Sequence, residues 1–187
     1  TDTALNALVA LHPELVGVGE GGLRSGVVHR LDPGTSGVLV FAIDERAWRE
    51  ARSAFAEKRV AKRYVARVHG AFAGEREIEL RLESRGTHVR VVASGGRVAS
   101  SHVRALETGP ETSLVEIAMR TGVRHQIRAS LAEIGHPVAG DRLYAAWRTK
   151  DKDLLKNSGE LPLAPFKTGG ALDLMIGANP KADAKRN

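Results

Sequence analysis

Cysteine, long apolar runs and an N-terminal signal pattern are all missing from this chain of 187 residues. Without cysteine, the chain can form no disulfide framework and can supply no thiolate for chemistry. No stretch approaches the roughly 18 consecutive apolar residues of a membrane-spanning helix, and no basic segment followed by an apolar one opens the sequence. These absences predict a cytoplasmic protein that has no membrane as a partner.

Motifs for binding phosphates or metals are missing as well. The sequence contains no G-x-x-x-x-G-K-[ST] phosphate loop, and His29, His125 and His136 lack the close spacing that is usual for metal ligands. Glycoside hydrolysis needs a matched pair of carboxylates, but only Asp32 has a convincing setting. No nucleophile elbow supports a Ser-His-Asp triad. The sequence therefore predicts no metal site and no cofactor.

The charge balance of the chain is basic. Its 28 Lys and Arg residues exceed its 22 Asp and Glu residues, which gives a formal charge of +6 and an isoelectric point of about 10.0. An excess of this size favours a polyanionic partner, most often nucleic acid. The alternative is that the basic residues are merely scattered over the surface.

Hydrophobic periodicity predicts a strand-rich chain with a few helices. Helices are predicted over residues 1–15, from an Asp44 cap to about Glu57, and from about Arg124 to Ile134. Strands are predicted at 26–31, 37–42, 62–69, 76–82, 87–93, 98–106 and 113–119, with a last one around Leu172, Leu174 and Ile176. These elements indicate an α+β fold with a mixed, mostly antiparallel β-sheet flanked by helices. We expect one domain over residues 1–178, with a variable loop region at 148–170 and a disordered tail at 179–187.

Asp32 is the sharpest candidate for a reactive residue. In the segment VVHRLDPGTSGVLVFA, residues 27–42, it begins an Asp-Pro-Gly turn between two apolar runs. Side chains at turns that are anchored on rigid elements are well placed for chemistry. The alternative is that Asp32 only caps the turn, since aspartate is favoured at the first position of a turn.

A second candidate stretch is TGVRHQIR, residues 121–128, which joins a predicted strand to a predicted helix. Arg124 and Arg128 are four residues apart, so we expect them on roughly one side of that helix. Helix starts favour nearby anions, and either Asp32 or an RNA phosphate would suit that place. The alternative is a solvated basic face.

Two further stretches contain polar residues that could have either of two roles. Aromatic residues make up only 4% of the chain, so an exposed ring would be informative. Tyr64, on the predicted strand 62–69, either packs in the core or offers a platform for base stacking. In GHPVAGDRLYAA, residues 135–146, Asp141 and Tyr144 either line a pocket or build a structured loop.

These stretches together resemble the motifs of the RluA-like RNA pseudouridine synthases. HRLDPGTSGVLVFA is similar to the family's HRLD-x-x-T-S-G-L-L-x-x-A signature, and AKRYVARVHG to its K-x-Y-x-A-x-V-x-G segment. TGVRHQIRASLAEIGHPVAGDRLY resembles T-G-R-x-H-Q-I-R-x-H-L…GHPI-x-GD-x-x-Y, and the motifs follow the family's order over about residues 4–147. Val123 stands where the family usually has Arg, and Ser130 where His is common. We expect this chain to lack the opening strand and the small RNA-binding domain that many members carry in front.

The resemblance implies an isomerase that converts uridine in ribosomal or transfer RNA to pseudouridine, with no cofactor, and we expect a monomer. It makes Asp32 the catalytic residue, as a nucleophile or as a base, with Arg128 as its ion-pair partner and Tyr64 stacked on the target base. Two alternatives stay open, a non-catalytic RNA-binding module on the same scaffold and a glycosidase that releases uracil. The residues expected to bind RNA or substrate are His29, Arg30, Thr35, Lys62, Arg124, His125, Gln126, Asp141 and Tyr144.

Overall fold

A computed structural model of the chain describes residues 3–32, 34–144 and 173–175, the last of these by backbone only. The loop region predicted at 148–170 and the tail predicted at 179–187 lie outside the described residues. The chain divides into two compact units, Thr1–Leu31 with Val38–Val60, and Asp32–Gly37 with Ala61–Asn187. The single domain predicted over residues 1–178 stays a prediction.

The first unit is built around two helices. Helix α1 spans Ala4–Leu11, two short 3-10 helices follow at Pro13–Leu15 and Gly22–Arg24, and helix α2 spans Glu45–Ala56. The Asp44 carboxylate accepts the N–H of Ala47 at 2.8 Å, so the predicted N-cap is confirmed. One side of α2 packs through Trp48 and Phe55 on a small core, whose buried members are Val18, Val28 and Ala42.

The strands predicted at 26–31 and 37–42 are wrong. Within these described segments the first unit has one isolated bridge, between Val27 and Phe41, instead of a ladder. Beside it the N–H of Ala42 donates to the carbonyl of Gly26 at 2.9 Å. Only glycine allows this approach, because Gly26 has a φ of 66° and an added Cβ would lie 2.5 Å from the Ala42 oxygen.

Side chains take the backbone groups that a ladder between these segments would have used. His29 Nε2 accepts the N–H of Val40 at 3.1 Å, and the indole N–H of Trp48 donates to the carbonyl of Val27 at 3.1 Å. Because each backbone group prefers one good partner, these bonds replace strand pairing. The alternation of apolar residues could not reveal this competition, since it records burial and not hydrogen-bond partners.

The second unit contains a six-stranded sheet with the order β3-β2-β4-β5-β1-β6. All neighbours pair antiparallel except β1 and β6, which pair parallel. The α+β fold with a mixed, mostly antiparallel sheet is therefore confirmed. The strands span Lys62–His69 (β1), Glu75–Arg85 (β2), His88–Val91 (β3), Arg97–Thr108 (β4), Thr112–Met119 (β5) and Asp173–Met175 (β6).

Helix α3, Gln126–Glu133, packs its apolar side against this sheet. Ile127 and Leu131 are buried in a cluster with alternate residues of β1 and β5, such as Val68 and Ile117. The helix was predicted from Arg124 but begins two residues later, and it stops before Gly135, whose φ is 86°. Among the described residues, no helix is both long and apolar enough to cross a membrane. The sheet and α3 thus form the rigid frame that carries the candidate site.

Candidate active site

Asp32 begins a tight turn at the start of the second unit's first segment. Its carbonyl accepts the N–H of Thr35 at 3.0 Å, and Gly34 has a positive φ of 81°, which glycine adopts without steric cost. The Asp32 side chain is 28% exposed, and its Oδ2 lies 4.0 Å from Nη1 of Arg128. From the residues that the structure describes, the Asp32 carboxylate accepts no hydrogen bond. The described residues therefore leave the Asp32 carboxylate oxygens accessible to a ligand.

Arg128 projects from the first turn of α3 and is held most closely by Asp141. Its Nε and Nη2 donate to the two Asp141 oxygens at 2.6 and 2.8 Å. Burial disfavours the charged guanidinium, but the hydrogen bonds and charge of Asp141, with the charge of Asp32 added, raise the pKa of Arg128. The sequence predicted Asp32 as the partner of Arg128, whereas the bidentate partner is Asp141. Asp141, expected to bind RNA, is instead buried and engaged within the protein.

Gln126, also expected to bind RNA, holds the loop before α3 in place. Its Oε1 accepts the Thr121 hydroxyl at 2.8 Å and the Val123 N–H at 3.1 Å, while its Nε2 donates to the carbonyl of Ser100 at 3.1 Å. Only 2% of Gln126 is exposed, so these contacts satisfy a buried amide rather than a ligand. Lys62 adds to the same loop, because its Nζ donates to the Thr121 carbonyl at 3.0 Å.

His125 has its proton position set by Tyr144. His125 Nδ1 lies 2.8 Å from the Tyr144 hydroxyl, which also accepts the N–H of Val89 at 2.9 Å. The phenol has one proton, and donating it to Nδ1 satisfies all three groups, so this assignment puts the imidazole proton on Nε2. Tyr144 is buried and therefore supports His125 rather than facing RNA. His125 itself has a φ of 51°, the left-handed conformation that the braced loop imposes on it.

Tyr64 is half-buried on β1, where its ring packs against the main core cluster. Burial, followed by the negative charge of Asp32, raises the pKa of its phenol. The side chain is therefore neutral near pH 7 and lies within the electrostatic reach of Asp32. Of the two roles that the sequence left open for Tyr64, core packing is observed, and base stacking stays a prediction.

Arg124 does not share a helix face with Arg128. It precedes α3 and donates from Nη1 and Nη2 to the carbonyls of Gly86 and Thr87, at 2.9 and 3.0 Å. The prediction from four-residue spacing was wrong because the helix starts only at Gln126. Arg124 thus links the β2–β3 turn to the loop before α3 through these hydrogen bonds. The Arg124 residue remains solvent-exposed.

The remaining expected RNA-binding residues differ in exposure. His29 lies in the first unit, stacked on Phe55 with 5.0 Å between ring centroids, and burial lowers its pKa. Arg30 is exposed, and Thr35 is partly exposed in the turn that Asp32 begins. Of these, Arg30 is the most accessible to a ligand. Within the described ranges, no group of three or more His, Asp or Glu side chains could hold a metal ion.

Asp141 is the functional residue that sequence reasoning misplaced. The motif GHPVAGDRLY contains it as the only acidic residue in a loop directly after α3. A carboxylate in such a loop, next to a helix with an inward-facing arginine, is a signal for an ion pair. Spacing alone could not choose between Asp32 and Asp141 as the closer partner of Arg128.

Comparison with known proteins places this geometry in a family. A family model described as RNA pseudouridylate synthase matches residues 14–133. Over 149 residues the chain is 38% identical to a protein of Chloroflexus aurantiacus named as an uncharacterized RNA pseudouridine synthase, covering 79% of this chain and 46% of that protein. It is 36% identical over 162 residues to ribosomal large subunit pseudouridine synthase D of Neisseria meningitidis, covering 84% of this chain and 42% of the relative.

Solved structures agree with the sequence matches. Human RNA Pseudouridylate Synthase Domain Containing 1 superposes with a TM-score of 0.58 and 30% identity, covering 63% of this chain and 54% of that one. The chain spans about half the length of the curated relatives it matches. Since the family model covers well over half of the chain and the matched region includes Asp32, Tyr64 and Arg128, this chain belongs to the RluA-like RNA pseudouridine synthase family.

Proposed function

We propose that this protein isomerises specific uridines in RNA to pseudouridine, with Asp32 as the catalytic residue and without a cofactor. One observation carries the proposal: the Asp32 carboxylate is partly exposed and free of hydrogen bonds from the described residues, yet the partly buried Arg128 guanidinium lies 4.0 Å away. A carboxylate that only capped its turn would have its oxygens bonded to backbone N–H groups.

The reaction rearranges one nucleotide without gain or loss of atoms. The bond from N1 of uracil to C1′ of ribose breaks, and a bond from C5 to C1′ forms. The hydrogen on C5 leaves to solvent, and N1 finally takes up a proton. Asp32 acts either as the nucleophile at C1′ or as the base that removes a ribose proton after the glycosidic bond breaks. In both routes it must be ionised when the substrate arrives.

Arg128 supplies the positive charge that keeps Asp32 ionised in a closed site. Substrate binding removes water from the carboxylate, which favours its neutral form, and a nearby cation opposes that change. The Arg128 side chain is only 19% exposed, so its charge is weakly screened by solvent. Tyr64 would stack on the detached uracil and keep it in place while it turns.

Ribosomal RNA is the first substrate to test, with transfer RNA as the second. The Neisseria relative carries the name of a ribosomal large subunit synthase. A paired uridine must leave its stack to reach Asp32, at a cost of a few kcal/mol, and exposed cations such as Arg30 would help to hold the distorted RNA. We further propose that the protein is a monomer and acts in the cytoplasm.

The test uses RNA transcribed with uridine that carries tritium at C5, because only pseudouridine formation releases that label to water. The wild type should release tritium, and Asp32→Asn should release none above background while its RNA affinity stays within a few-fold. Glu107→Gln, an exposed carboxylate on β4, is the matched control and should retain full activity.

Three outcomes would contradict the proposal. Normal tritium release by Asp32→Asn would remove Asp32 from the chemistry. RNA binding without release by the wild type would favour the non-catalytic module, for which buried Val123 at a position that is usually Arg is the motivation. Free uracil in the same assay would indicate a glycosidase.

A further inference from the structure

Arg128 faces two carboxylates but contacts them differently. Nε and Nη2 donate to Asp141 at 2.6 and 2.8 Å, whereas Nη1 lies 4.0 Å from Asp32, which is beyond hydrogen-bond distance. A guanidinium is a rigid planar fork, so fixing one edge also fixes the direction of the third nitrogen. Asp141 therefore holds one edge and leaves only Nη1 for Asp32.

Asp141 is itself anchored by the main chain. Its Oδ1 accepts the N–H groups of Leu143 and Tyr144 at 3.0 and 3.1 Å, and its own N–H donates to the Val138 carbonyl at 3.1 Å. Only 3% of the Asp141 side chain is exposed, so a displacement would break several buried hydrogen bonds. The backbone of the loop after α3 thus fixes the carboxylate that fixes Arg128.

Tyr144 restrains the plane of the same guanidinium. The Arg128 Cζ atom lies 4.9 Å from the centre of the Tyr144 ring. The Tyr144 hydroxyl is held in turn by Val89 and His125. A guanidinium stacked on a fixed ring resists rotation out of its plane. Arg128 is therefore restrained along one edge and on one face by groups other than Asp32.

We propose that Asp141 is a positioning residue that holds Arg128 back from Asp32, so that the positive charge reaches Asp32 while no described residue binds the Asp32 oxygens. This inference rests on the catalytic role proposed above for Asp32. A bidentate Arg128–Asp32 pair would occupy the lone pairs that a nucleophile or base needs. A cation restrained at 4.0 Å acts on the Asp32 charge without occupying the lone pairs of the carboxylate.

A double-mutant cycle on unfolding tests the restraint without any assay of activity. In the wild-type background, Asp32→Asn should change the unfolding equilibrium constant little, because Arg128 stays on Asp141. In the Asp141→Asn background, Arg128 turns to Asp32, so removing Asp32 should then raise the unfolding equilibrium constant by about tenfold more. Equal effects of Asp32→Asn in both backgrounds would overturn the proposal. Glu107→Gln in both backgrounds is the control.

Kinetics give the second readout. Asp141→Asn should lower kcat by about 100-fold with KM nearly unchanged, and the acid limb of its rate profile should move to lower pH, because a close cation favours ionised Asp32. Among the described residues, the charged or titratable groups around this position are Asp32, Tyr64, His125, Asp141, Tyr144 and the cations Arg124 and Arg128. If the acid limb of the rate profile of Asp141→Asn is unchanged or moves to higher pH, Asp141 does not hold Arg128 back from Asp32.

A third measurement serves if Asp141→Asn does not fold. The Nε–H of Arg128 should give the same nuclear magnetic resonance signal, with the same slow exchange, in the wild type and in Asp32→Asn. Loss of the signal or of its slow exchange in Asp32→Asn would mean that Asp32 orients Arg128, and the proposal would fail. A wild type that releases no tritium would refute the proposed function, but the unfolding cycle would still decide the role of Asp141.

Discussion

The turn that carries Asp32 and the loop that carries Asp141 hold two aspartates near one arginine, yet the two side chains differ in exposure and in hydrogen bonding. The Asp32 side chain is 28% exposed, and that of Asp141 is 3% exposed. Asp141 accepts four hydrogen bonds, two from Arg128 and two from the backbone, whereas Asp32 accepts none from the described residues. A carboxylate with satisfied oxygens stabilises the fold, and one with free oxygens is left for chemistry.

The comparison predicts that removing the shared arginine has the largest effect. Arg128→Met leaves the buried Asp141 carboxylate without its charged partner, which should lower the free energy of unfolding by about 3–5 kcal/mol. Denaturant titration of the wild type and the variant measures this loss. The double variant Arg128→Met with Asp141→Asn should recover part of it, because no unpaired charge remains. A loss below about 1 kcal/mol would mean that the pair contributes as little as a surface ion pair.

Removing the Tyr144 hydroxyl should have the next largest effect. Tyr144→Phe leaves the buried N–H of Val89 and the Nδ1 of His125 without their common partner. We expect a loss of about 1–3 kcal/mol in the free energy of unfolding. Tyr64→Phe is the matched control, because the Tyr64 hydroxyl makes no hydrogen bond with the described residues, and it should lose far less. Equal losses in the two variants would contradict the bracing role of Tyr144.

Lowering the pH should reduce the stability of the folded state through His125, by a smaller amount. Burial lowers the pKa of His125, Arg128 and Arg124 act in the same direction, and Asp32 and Asp141 oppose them. As the pH falls below about 6.5, the ordinary pKa of histidine, the unfolded chain takes up a proton first, so the folded state loses stability. Full stability from this group is present above that pH and is lost as the pH falls through the folded-state pKa.

Melting temperatures at pH 7.5 and pH 5.5 measure that loss. Burial also lowers the pKa of His29 and His69, so the wild type should melt lower at the acidic pH. His125→Asn should show a smaller drop than the wild type, because the variant lacks one of the contributing groups. An identical drop in both proteins would remove His125 from the effect.

Replacement of Asp32 should have the smallest effect on stability and the greatest on product. Asp32→Asn breaks no hydrogen bond with the described residues, so its free energy of unfolding should stay within about 0.5 kcal/mol of the wild type. Calorimetry measures the free energy of unfolding, and the tritium assay measures product formation on the same protein sample. A loss above about 2 kcal/mol would assign Asp32 a structural role like that of Asp141.

The sequence predicted correctly those elements whose conformation is set by local signals rather than by tertiary contacts. Strand β1 was predicted at its observed bounds, and the cap of α2 at Asp44 was found, because alternation and capping are local signals. It failed at residues 26–42, where His29 and Trp48 take backbone groups from across the first unit. It also failed for Arg124, because the spacing argument assumed a helix that begins at Arg124, whereas α3 begins two residues later.

The sequence by itself determined the α+β class, the basic charge and the family, and it singled out Asp32, Tyr64 and Arg128 through their motifs. Only the tertiary structure decided that Arg128 binds Asp141 closely and Asp32 at a distance. Composition and spacing name the charged groups but not their separations, and the strength of an ion pair depends on separation and burial. A difference of little more than an ångström therefore separates a structural aspartate from one that is available to a substrate.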